Sequence, residues 1–111
     1  MPEEKSNWVK VAEDIGDIDF AANNIAEKEV GSKKICLGKF YNRIFAFAAA
    51  CPHAGGSLAE GCINASGHIV CPVHSYKFNM QTGYNVSGEG YYLKHWPVDI
   101  RADGVFVNMG E

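Results

Sequence analysis

The sequence predicts an all-β fold, and three observations carry the prediction. The chain breaks into many short runs of strand character. These runs are separated by turn-forming clusters at Tyr41-Asn42-Arg43, residues 64–67, Gln81-Thr82-Gly83 and Ala102-Asp103-Gly104. Two compact groups of soft ligands, Cys51-Pro52-His53 and Cys71-Pro72-Val73-His74, follow directly on two of the runs, so the chain is organised around loops at strand ends. At 111 residues it is expected to form one domain with a modest core.

In chain order, Asn7 to Ala12 alternates as an opening strand, and Glu13 to Asp17 reads as a turn or at most one helical turn. Phe20 to Val30 is ambiguous, because its Ala, Asn and Glu content permits a helix while Ala21 to Ile25 also fits a weak strand. Lys33 to Phe40 and Ile44 to Ala49 are apolar runs joined through Tyr41-Asn42-Arg43, a hairpin signal in which Asn42 is available for a positive φ. The second of these runs delivers the chain into Cys51. Leu58 to Gly61 is a short connection, Ile69-Val70 a strand entering Cys71, and Lys77 to Met80 a strand leaving the second loop. Asn85 to Gly90 reads as a flexible polar loop. Tyr92 to Ile100 and Val105 to Met109 make a last hairpin, in which Pro97 demands an edge position or a bulge.

The two Cys/His groups are separated by seventeen residues, Ala54 to Val70, and each offers one thiolate and one imidazole. A mononuclear zinc site has the right ligand types, but zinc modules usually pair cysteine with cysteine and histidine with histidine in each arm. Here both arms are mixed. That pattern better suits two irons bridged by sulfides, one bound by both cysteines and the other by both histidines, each arm giving one ligand to each iron. Zinc remains the competing reading.

The spacing C-x-H-x₁₇-C-x-x-H resembles the signature of Rieske [2Fe-2S] proteins, and within them the stand-alone, low-potential ferredoxins that feed oxygenases. The likeness extends to Leu58 and Gly61, Gly67-His68-Ile69-Val70, Phe78, Thr82-Gly83, Trp96-Pro97-Val98 and the Asp103-Gly104 turn, and is strongest from Phe45 to Gly83. It implies a single Rieske-type (iron–sulfur protein, ISP) domain over residues 1–111. An antiparallel β-sandwich or barrel base, about 1–44 and 91–111, would carry an inserted cluster-binding subdomain, about 45–90, with two ligand-bearing hairpin loops. The resemblance also decides for a strand at Ala21 to Ile25. It implies one [2Fe-2S] cluster per chain, held as cofactor and metal centre by Cys51, His53, Cys71 and His74. The added electron would reside on the histidine-bound iron, and His53 and His74 at the loop tips would form its exit.

Replacing two thiolates by neutral imidazoles leaves the cluster less negative and raises its potential relative to four-cysteine centres. Within the family, high-potential members resemble chains with an extra cysteine in each loop, joined as a disulfide, and with Ser and Tyr hydroxyls donating to sulfur. The corresponding positions here are Gly56 and Val73 for the cysteines and Tyr76 and Phe78 for the hydroxyls. A low potential is therefore expected, near about −150 mV, at the lower end of the Rieske range. Ser75 offers a hydroxyl by a different route. Related ferredoxins often place prolines in a third loop over the cluster, where this chain has Ser87-Gly88-Glu89-Gly90.

Composition bounds the rest. The chain is 47% hydrophobic and 21% charged, with 10 Lys and Arg against 13 Asp and Glu, a net charge of −3 and no basic run that would suit nucleic acid. No stretch approaches the roughly 18–20 apolar residues of a membrane span, and the N-terminus lacks a secretory h-region, so a cytoplasmic protein is expected. Of the four cysteines, Cys36 and Cys62 lie outside the ligand motif; Cys36 reads as a small buried hydrophobe, and a bond between the two is disfavoured in a reducing compartment. His68 and His95 read as structural or surface groups, and Trp8 and Trp96 as packing residues. No paired carboxylates, activated nucleophile or phosphate loop appears, so no catalytic residues are assigned.

The expected function is that of a one-electron carrier, monomeric when free, between a flavin-dependent reductase and an oxygenase or similar acceptor. It would dock transiently through Pro52, Ala54, Gly55 and Val73. The alternative is a bound subunit resembling the small subunit of assimilatory nitrite reductase, and a lesser one is a structural zinc module.

Overall fold

The computed structural model describes residues 7–52 and 56–110. Among these residues ten strands form: β1 (Trp8–Ala12), β2 (Ile25–Val30), β3 (Lys33–Phe40), β4 (Arg43–Ala48), β5 (Cys62–Ile63), β6 (His68–Val70), β7 (Lys77–Asn79), β8 (His95–Trp96), β9 (Val98–Arg101) and β10 (Gly104–Asn108). Two 3₁₀ turns, Ile15–Asp17 and Leu58–Glu60, are the only helical elements among the described residues. None is long and apolar enough to cross a membrane. The all-β expectation is met.

The strands make three antiparallel sheets, ordered β1-β10-β9, β2-β3-β4-β8 and β5-β6-β7. The four-stranded sheet lies between two cores. Successive side chains of a strand point to opposite faces, so on β3 Ile35 and Leu37 enter one core while Cys36 enters the other. On β4, Ile44 and Ala46 join the first core and Phe47 the second. Burial on both faces explains why these two strands are nearly continuous apolar runs in the sequence. The first core is completed by Val105 and Val107 of β10, and the second by Leu58, Ile69, Phe78 and Leu93. Cys51 and Cys71 belong to the second core.

Several local expectations are corrected. Ala21 to Asn24 is not a strand: Asn24 takes a left-handed φ of 66°, and β2 begins only at Ile25. The Asn23 side chain accepts the Ile25 N–H at 3.2 Å, a local turn that competes with strand extension. In the β3–β4 hairpin the positive φ falls on Tyr41, at 56°, instead of on Asn42.

The run from Tyr92 to Ile100 is not one strand either. β8 pairs with β4 and β9 with β10, so the chain changes sheet at Pro97. Having no N–H, Pro97 ends the first pairing, while its carbonyl accepts the Asn108 N–H at 3.0 Å. Trp96 is buried in the first core, whereas Trp8 is 37% exposed and lies with Phe106 around the Arg101 guanidinium. Both act as packing residues of the base, as expected.

Candidate metal centre

The two loops that begin at Cys51 and Cys71 are closed alike. β4 runs out through an isolated bridge between Ala50 and Ser57, and the Cys51 N–H donates to the Gly56 carbonyl at 2.8 Å. β6 ends in the second loop, where the Cys71 N–H donates to the Tyr76 carbonyl at 2.8 Å. In each case a cysteine N–H reaches the carbonyl five residues on, closing a loop whose first side chain is directed into the core. The second loop is tightened by the Ser75 N–H donating to the Cys71 carbonyl at 3.0 Å, with Ser75 at a positive φ of 61°.

The loops touch. A Cβ placed on Gly56 would lie 2.6 Å from Val73 Cγ2 and 3.5 Å from Cys71 Sγ. The first loop's closing residue therefore rests on the second loop's thiol, and glycine there permits the approach. Cys51 and Cys71 are 1% and 0% exposed, against apolar neighbours, whereas His74 is exposed. His53 lies outside the described residues, as do Ala54 and Gly55. Among the described residues no three His, Cys, Asp or Glu side chains gather around one point. The described part of the predicted set thus comprises two buried thiols in touching loops and one exposed imidazole.

Both other cysteines are free thiols, so no bond joins them. Cys36 is fully buried, and burial, reinforced by the Glu27 carboxylate, pushes its thiol up to about 12. It stays protonated and serves as a core residue, as expected. Cys62 is exposed on β5. His68 is part of β6, and His95 Nδ1 lies 3.1 Å from the Tyr92 hydroxyl.

The sequence reading missed two asparagines that hold the loops. Asn23 Nδ2 donates to the Ala59 and Gly61 carbonyls at 2.8 and 2.9 Å, pinning the 3₁₀ turn that follows the first loop to the start of β2. Asn85 is 3% exposed, the one buried polar side chain among the described residues. It bonds the Lys77 carbonyl at 3.0 Å and receives the Tyr91 N–H at 3.2 Å. The segment 85–90, expected to be a flexible polar loop, is thus tied to β7 by its own side chains. The only signal for either asparagine was its place beside a strand, which many solvent-facing asparagines share.

The described donor set fits a group that needs sulfur on its protein side and nitrogen toward solvent. The family model for the Rieske [2Fe-2S] domain matches residues 7–91. The chain belongs to the Rieske [2Fe-2S] family. Its cofactor is the Rieske [2Fe-2S] cluster. Over 79 residues this Rieske domain is 27% identical to the ferredoxin component of the alkene monooxygenase system of Xanthobacter autotrophicus, covering 71% of this chain and 65% of that one. It is 34% identical over 94 residues to apoptosis-inducing factor 3 of Homo sapiens, covering 84% of this chain and 15% of the human protein. The chain therefore spans less than two thirds of either relative. Among solved structures, a complex of reduced oxygenase and oxidized ferredoxin in carbazole 1,9a-dioxygenase matches with a TM-score of 0.76 at 26% identity, covering 94% of both chains.

The contact between loops carries a prediction. The Cβ built on Gly56 is 3.7 Å from Val73 Cβ, inside the roughly 3.5–4.5 Å span of disulfides. The double substitution Gly56→Cys with Val73→Cys is expected to form a loop-to-loop disulfide in this Rieske domain under oxidising conditions. Mass spectrometry after thiol blocking checks it: both introduced thiols should be protected until reduction, and their free alkylation would contradict the geometry. A crosslink closing a loop of this size is worth about 3 kcal/mol of stability if unstrained.

Proposed function

We propose that this Rieske domain is a one-electron carrier that accepts an electron from a flavin-dependent reductase and passes it to an oxygenase, with Cys51, His53, Cys71 and His74 as the cluster ligands. The observation that carries the reading is the split between buried thiols and exposed imidazole across two touching loops. When bound, the cluster supplies a one-electron couple. Cys51 and Cys71 keep its inner side away from water, and His74 gives its outer side a path to a partner at the surface. Neutral imidazole ligands would add no charge of their own to the face that a docking partner meets.

The potential is low in this reading. The Gly56 and Val73 pair brings no sulfur to the inter-loop contact, and buried Phe78 brings no hydroxyl. Docking is transient, through an apolar rim to which Pro52 and the 47%-exposed Val73 contribute. The chain acts in the cytoplasm as a monomer and performs no catalysis of its own. The likeness to ferredoxin components of oxygenase systems supports this over a permanently bound subunit.

Purification followed by spectroelectrochemistry tests the proposal. A monomer containing two irons and two labile sulfides per chain, reducible and reoxidisable by one electron and accepting electrons from a flavin reductase, is the expected result. Obligatory co-purification with a large redox subunit would replace the shuttle by the bound-subunit reading. A colourless zinc protein would end both.

A further inference from the structure

The segment after β7 is tied to the residue that follows the second ligand loop. The Lys77 N–H donates to Ser87 Oγ at 2.9 Å, and the Val86 N–H and Asn85 Nδ2 donate to the Lys77 carbonyl at 2.9 and 3.0 Å. The Ser87 hydroxyl and Asn85 Nδ2 both donate to the Glu89 carboxylate, and Asn85 Oδ1 receives the Tyr91 N–H. Lys77, Asn85, Ser87, Glu89 and Tyr91 thus form one hydrogen-bonded knot. The Ser87 hydroxyl, with Asn85 behind it, holds Glu89 below the usual carboxylate range, so the acceptor at the knot's centre is ionised at neutral pH.

Tyr91 leaves the knot toward the second loop. Its ring centroid is 5.9 Å from that of Tyr76 at an interplanar angle of 32°, and Tyr76 is 6.1 Å from the His74 ring at 44°. Both spacings lie in the range of about 4.5–7 Å where aromatic rings attract. The three rings form a row from the knot to the exposed imidazole.

We propose that Tyr91, fixed by the Asn85–Ser87–Glu89 knot, is a positioning residue for His74: acting through the Tyr76 ring, it sets the imidazole's orientation and keeps water from its flank. In this chain the knot does the ordering that a proline would do in such a loop, with side-chain hydrogen bonds in place of a fixed φ. The inference rests on His74 being a cluster ligand. Reduction adds one negative charge to the centre, and water near that charge stabilises it. Loss of the Tyr91 ring should therefore raise the reduction potential as well as loosen the loop.

The test uses the full chain with its cluster loaded, as wild type, Tyr91→Leu, Tyr91→Phe and Ser87→Ala. Tyr91 is 42% exposed, so leucine there disturbs neither core, and Ser87→Ala loosens the knot without touching the rings. Tyr91→Leu is expected to raise the midpoint potential and to release the cluster to a chelator several-fold faster. Ser87→Ala should move both in the same direction by less. Tyr91→Phe, which keeps the ring, should shift both by clearly less than Tyr91→Leu does. An unchanged potential in Tyr91→Leu, or an equal shift in Tyr91→Phe, overturns the inference while leaving the ligand assignment standing. A cluster loaded without His74, shown by an unaltered spectrum in His74→Ala, overturns the ligand assignment and the inference with it.

Discussion

Cys71→Ala protein is expected to emerge from cluster reconstitution colourless, with neither iron nor labile sulfide, and Cys51→Ala to do the same. The physical comparison is with Cys36→Ala. Cys36, Cys51 and Cys71 all lie in the second core at 1% exposure or less, so the three substitutions remove the same sulfur atom from equally buried sites. If packing were all that the cysteines supplied, the three variants would lose similar and small amounts of stability. Cys36, however, sits in β3 with its thiol held protonated by burial, while Cys51 and Cys71 open two loops in mutual contact. In the proposed assignment only the latter two bind the cluster. Bound structural metals contribute on the order of 10 kcal/mol, far more than a buried methyl-sized group. Iron and sulfide analysis with visible absorption separates the cases. Full colour in Cys71→Ala would refute the ligand assignment, and loss of colour in Cys36→Ala would show that core packing alone governs loading.

The second large effect is expected at Phe47. Its ring is fully buried on β4, one of the largest side chains of the core that also holds Cys51 and Cys71. Phe→Ala changes of this kind cost about 3–5 kcal/mol, through lost transfer energy and the cavity left behind. Small domains are stable by only about 5–15 kcal/mol in total, so Phe47→Ala should forfeit a large share. Urea unfolding should show a lower midpoint with an unchanged slope. Because the cavity opens in the core that seats both thiols, the variant should also release its cluster faster than a variant weakened in the first core. Val107→Ala, fully buried in that first core, is the control, with the two variants compared at urea concentrations that bring them to equal stability. Equal release rates from the two would show that loading depends on global stability alone.

Which parts of this were legible in the sequence follows from how local each signal is. The hairpin from β3 to β4 is legible to within a residue, because two apolar runs flank the Tyr41-Asn42-Arg43 turn signal, of which Arg43 joins β4, and nothing distant competes with that pairing. The positive φ expected at Asn42 falls on Tyr41, since a tightly paired hairpin imposes its turn geometry on whichever residue occupies the corner. The run from Tyr92 to Ile100 has continuous strand character, yet it splits at Pro97 because β4 and β10 each capture one half. No local pattern specifies which partner a strand segment will meet.

The amino-acid sequence by itself determined the all-β class, the positions of most strands, and the paired Cys/His loops that mark a Rieske domain, since strand period, turn chemistry and ligand type are all written in neighbouring residues. Only the tertiary structure decided that the central sheet is buried on both faces, that Gly56 rests against Val73 and Cys71, and that Asn23 and Asn85 fasten the segments around the loops. Those are contacts between residues far apart along the chain, and a side chain's hydrogen-bond partner or packing neighbour exists only once the backbone has brought the two together.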